Sequence, residues 1–154
     1  MGQQQLLLLV LGIVIVGLAV VVGIQAFGEN QKKANSDAIT NDVIRIASDA
    51  QAWALKPQAF GGGNGVFTGV TLAKLGYTVS TAGAYTNLNA APTAANANNG
   101  YKLSTVTAPT TAVPTGSFTI TGCNADRTNQ VVATVSGTGP TDISTTVSNV
   151  TTCS

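Results

Sequence analysis

Charged residues make up only 8% of this 154-residue chain, which has no histidine and a single glutamate, Glu29. Each scarcity removes a class of function. Without histidine there is no Ser-His or Cys-His nucleophile system and no haem attachment of the C-x-x-C-H type. A zinc site would need ligands the chain lacks. Glu29 has no evident carboxylate partner for acid–base work. The formal net charge is +1, so there is no basic field of the kind nucleic-acid binding requires. Aromatics, at 5%, are too sparse for a stacked electron path. The glycine-rich AFGGGNG (59–65) lacks the Lys-Ser/Thr of a phosphate loop. Asp126 and Asp142 read as turn residues ahead of calcium ligands. The expectation is a protein with no catalytic residues, metal or cofactor, and no nucleic-acid partner. Its surface must be built from Thr, Ser, Asn, Gly and Ala, a composition common on exported bacterial proteins.

Cysteine is also scarce, with two residues, Cys123 and Cys153. Their spacing is too wide for a redox pair of the C-x-x-C type. A bridge between them would close a loop of about 30 residues and contribute roughly 3.5 kcal/mol on the chain-entropy account. It would also place this part of the chain in an oxidising compartment. The alternative is two buried free thiols.

What the chain has in abundance comes first in order. From Leu6 to Ile24 run nineteen residues without a charge or a side-chain hydrogen-bonding group, fifteen of them Leu, Ile or Val. As a helix the run is about 28 Å long, close to the roughly 30 Å hydrocarbon core of a bilayer. Insertion is favoured by several kcal/mol. A cleavable signal fits poorly, because nothing basic precedes Leu6 and no small-x-small site follows. For a plain anchor, Lys32 and Lys33 on the C-terminal flank would direct the rest of the chain to the cytoplasm. That conflicts with a disulfide unless a basic leader preceded Met1. Gly12, Gly17 and Gly23 are either tolerated sequence or places where helices approach closely or unwind.

Beyond Gly28 the pattern stays helical but becomes one-sided. Ile39, Val43, Ile46, Ala50 and Trp53 recur at steps of four, three, four and three, a single stripe suited to packing on a sheet. Asp42, Arg45 and Asp49 are spaced for local ion pairing. Lys56-Pro57 ends the helix, giving one helix of about 50 residues, roughly 75 Å long. After a flexible loop (59–65), β-type runs follow at 66–72, 101–107, 117–121, 130–136 and 143–148. Residues 123–129 and 137–142 read as turns, so the last strands form an antiparallel meander. The Ala/Asn/Thr-rich stretch 80–100 reads as a long loop, a surface excursion or a contact to a neighbouring subunit. Asn149-Val150-Thr151 fits the glycosylation acceptor pattern. The fold class expected is α+β. Residues 1–56 form a long helix, with an apolar segment 6–27 and an amphipathic part 29–55. Residues 57–154 form a β-rich head.

An apolar N-terminal helix, its amphipathic continuation, a β-meander and a C-terminal cysteine pair together resemble type IV pilins and pilin-like filament subunits. The resemblance lies in architecture over the whole chain more than in motif. It implies subunits held in the inner membrane, extracted by a pilus assembly machinery and polymerised with copies of themselves into an extracellular filament. Leu6, Leu9, Ile13, Val16, Val20 and Ile24 would pack the filament core, and Met1 and Gln5 would make the N-terminal contact. The chain departs from the family in two places. If Met1 is the first mature residue, Gln5 stands where the family carries Glu, and the proline common in the pilin helix is missing. Two other readings are a single-pass anchored exported binding domain and a secretion-system pseudopilin.

Overall fold

The computed structural model describes residues 2–77, 99–104, 106–124 and 129–149. No proline precedes Pro57, and the first element, α1, runs unbroken over Gly2–Leu55. Gly12, Gly17 and Gly23 do not interrupt it, and a Cβ added at any of them would meet open space. The helix stops where Pro57, at φ −58° and ψ 147°, forces the chain out of helical geometry. By its contacts the chain forms two compact units, Met1–Asn35 and Ser36–Ser154. The boundary falls inside α1, because the head claims the part of the helix that carries the apolar stripe.

The glycine-rich loop folds back onto the end of the helix. The last carbonyls of a helix lack intrahelical donors, and this loop supplies them. Gly63 N–H donates to Trp53 O at 3.0 Å, Gly65 N–H to Ala54 O at 2.7 Å, and Asn64 N–H to Lys56 O at 3.0 Å. Gly63 is required by this fit, since a Cβ there would sit 2.7 Å from Trp53 Cζ3 and 2.1 Å from Val66 O. A short 3-10 turn, Gln58–Phe60, precedes it.

Residues 66–72 are a correction to the sequence reading: they form turns, not a strand. Gly69 takes φ +82°, which breaks any extended run, and Val70 N–H turns back to Phe67 O at 3.0 Å. The apolar residues expected of a strand are still used. Phe67, Val70 and Leu72 are buried, and Phe67 meets Phe118 edge-on with ring centroids 5.1 Å apart.

Four strands follow: β1 (Asn99–Leu103), β2 (Phe118–Asn124), β3 (Asn129–Val135) and β4 (Ile143–Asn149). They pair in chain order, every neighbour antiparallel, as the expected meander. Val131, Ala133 and Val135 alternate inward along β3, and Tyr101, Phe118 and Ile120 share that face by register. The helix covers it with Ile39, Val43, Ile46, Ala50 and Trp53, all in the buried core together with Ala47 and Ala54.

Gly122 sets the closeness of that packing. A Cβ on it would lie 2.6 Å from Ile39 Cγ2, 2.8 Å from Val43 Cγ2 and 3.0 Å from Tyr101 Cε1. Twelve residues further along α1 from Ile39, Gln51 Nε2 donates to the carbonyls of Gly137 and Gly139, both at 2.8 Å, pinning the β3–β4 turn. Gly122 pairs with Val131 near the start of β3, and Gly137 lies just past its end. Within the head, therefore, the helix runs alongside β3 in the same direction.

Candidate functional site

The apolar segment is an exposed surface. Leu6, Leu9, Ile13, Val16, Val20 and Ile24 are all between 55% and 69% exposed. Every residue from Gly2 to Phe27 is exposed. Side chains at helical spacing leave shallow apolar grooves between them. One is lined by Gln3, Leu6, Leu7, Val10, Leu11 and Val14. Another, on a different side, is lined by Leu8, Leu9, Gly12, Ile13, Val16 and Gly17. Such grooves accept the side-chain ridges of a second helix, and the two glycines deepen theirs. The helix is also long and apolar enough to cross a membrane. Either environment removes the same area from water, which is the dominant favourable term. Gln5 is exposed on this segment, and Met1 lies outside the described residues. Glu29 and Lys32 follow the apolar run as an exposed pair at 3.9 Å, a contact that contributes little.

On the head, polar chemistry is committed to structure. Asp42 and Asp49 do not serve local ion pairs as their spacing suggested. They accept hydrogen bonds from the hydroxyls of Tyr101 and Tyr77 respectively, tying the helix to the sheet and to the loop before it. They lie seven residues apart, two turns along one side of α1. Burial, then the hydrogen bond and the charge of Asp49, push the Tyr77 hydroxyl up to about 12. Asp142 is a turn residue, its Oδ2 accepting the Gly139 N–H at 2.9 Å. Lys74 lies 5.5 Å over the Trp53 ring and donates to Gly69 O at 2.7 Å. Among the described residues no three Cys, Asp or Glu side chains cluster as a metal site would require.

Cys123 is buried in β2, and no free cysteine occurs among the described residues. Cys153 lies outside them, as do Asp126 and most of the loop assigned to 80–100. Asn149 is the last residue of β4. Sequence reasoning missed Gly122, Gln51, Tyr77 and Tyr101. For Gly122 a signal existed, since glycine beside a strand pattern marks close backbone approach. The tyrosine–aspartate ties had none, since their partners are 28 and 59 residues apart. No known protein family, curated protein or solved structure matches this chain.

Proposed function

We propose that the protein is a structural subunit of an extracellular type IV pilus-like filament, polymerising through its apolar N-terminal helix. One observation carries the reading: a single helix is divided between two jobs. Its second part spends its apolar stripe on the head, leaving Ile39, Val43, Ile46 and Ala50 with no exposure. Its first part holds its apolar side chains exposed. Lipid satisfies that surface before assembly, and the helices of neighbouring copies satisfy it afterwards. Moving from one to the other keeps the side chains out of water throughout, so packing, close approach at glycines and lipid release decide the balance. On this reading the inner membrane holds the precursor, assembly machinery extracts it, and the heads form the filament's outer surface. A Cys123–Cys153 bridge then ties the end of the meander in an oxidising space.

The test is electron microscopy and mass spectrometry of material sheared from the cell surface. Long filaments composed of this chain are expected. Recovery of the chain solely from detergent-solubilised membrane would favour an anchored domain and overturn the filament.

A further inference from the structure

We propose that the edge of β4, which no described strand pairs with, is a self-association site, pairing antiparallel with β4 of a second copy. Alternation in an antiparallel ladder assigns the backbone groups. Ser136 N–H donates to Asp142 O at 3.0 Å, so Ser144, Thr146 and Ser148 turn their N–H and C=O toward β3. Those of Ile143, Thr145 and Val147 point away, on the strand that ends the sheet among the described residues. Edge strands in soluble proteins are normally blunted by charge, proline or a bulge. β4, with the sequence ISTTVSN, has no charge and no proline, and its register against β3 is regular. Its inner face also outruns its cover: Val147 is 54% exposed, whereas its cross-strand partner Val131 is fully buried.

A strand edge is recognised by another strand, and β4 is complementary to itself. With Thr145 opposite Thr145, Ile143 faces Val147 on the inner side twice, and Ser144 faces Thr146 on the outer side. All three outward backbone pairs are satisfied, and no charge meets a like charge within the strand. The symmetry has a consequence. The helix of each head runs along β3, so two heads joined in this way hold their helices antiparallel. They cannot be neighbours in one array of parallel helices. For a filament, the contact joins heads on different filaments. That consequence rests on the filament reading, whereas the edge pairing itself does not.

The experiment is amide hydrogen exchange on the full chain in detergent, at low and high protein concentration. Exchange at Thr145 and Val147 is expected to slow by about tenfold or more at high concentration, with amides facing β3 unchanged. Thr145→Pro removes an outward N–H that β3 does not use, and Val147→Lys adds a charge to the edge. Both should abolish the slowing while the head melts normally. Equal exchange at the two concentrations overturns the pairing, as does slowing that persists in either variant. Protection seen solely after adding other cell proteins overturns the second copy as occupant. Where filaments form, wild-type ones should bundle and both variants should give dispersed filaments of normal length. Absence of filaments would count against the filament reading alone.

Discussion

At the scale of single residues, the least conspicuous side chain has the sharpest consequence. Gly122 has no Cβ, and Ile39, Val43 and Tyr101 fill the space one would occupy. Gly122→Ala should therefore destabilise the head by about 1–3 kcal/mol, the usual cost of overpacking a filled core. A denaturant midpoint equal to that of the parent would contradict the close approach. Gly12→Ala is the natural contrast, because open space surrounds that position, and the head should melt unchanged. Tyr77 offers a second reading at this scale. Its hydroxyl is pushed up to about 12 from an ordinary 10.0. For an acid held neutral in the fold, the stabilisation is fully present below 10 and is lost as pH climbs through 12. Ultraviolet titration should find the Tyr77 phenol ionising late, and Asp49→Asn should bring it back toward the ordinary range. A late ionisation that Asp49→Asn leaves unmoved would remove Asp49 from the account.

At the scale of elements, α1 shows which parts of a fold can be read from a sequence and which cannot. The stripe from Ile39 to Trp53 was legible because helical periodicity is local, and the structure buries every member of it. Strands β2, β3 and β4 were legible for a related reason: Thr and Val alternate between short turn signals, and the register follows. The stretch 66–72 was misread because composition alone suggested a strand. One glycine at positive φ and the demand for Phe67 beside Phe118 folded it into turns instead. That the glycine-rich loop caps the helix was not legible, because its hydrogen-bond partners are backbone carbonyls at the helix end. Two substitutions on one helix separate its parts. Ile46→Ala deletes wholly buried methylenes and should cost the head about 2–5 kcal/mol. Ile13→Ala, at a position 65% exposed, should leave the head's melting unaltered. Gln51→Ala belongs with the first class. It strands the carbonyls of Gly137 and Gly139, and a loss of about 1–2 kcal/mol is expected from two such bonds. Equal effects at Ile46 and Ile13 would mean that the two halves of the helix share one core.

For the whole molecule, the decisive question is whether the exposed apolar segment is needed for assembly while the head remains indifferent to it. Val16→Asp puts the question with one substitution. Val16 is 63% exposed and lines the groove that contains Gly12 and Gly17. It belongs to a compact unit separate from the head, so the head's thermal transition should be the same as in the parent. In lipid, an aspartate near the middle of a spanning helix costs about 2.5–3.5 kcal/mol. Between packed helices it would place an unpaired carboxylate among apolar side chains, which is more costly again. Filament yield should therefore fall to background while the folded head persists, measured by electron microscopy and by melting on the same preparation. Gln5→Glu probes the opposite direction. It introduces the carboxylate that the resemblance to pilin-like subunits implies at this place, where the proposed assembly would bring the N-terminal amine of a neighbouring copy. If the N-terminal contact works as the resemblance implies, Gln5→Glu should assemble at least as well as the parent. Intact filaments from Val16→Asp would refute core packing through the apolar helix. Loss of filaments from Gln5→Glu, with Val16→Asp behaving as expected, would keep the packed core and replace the ion pair with an amide contact particular to this chain.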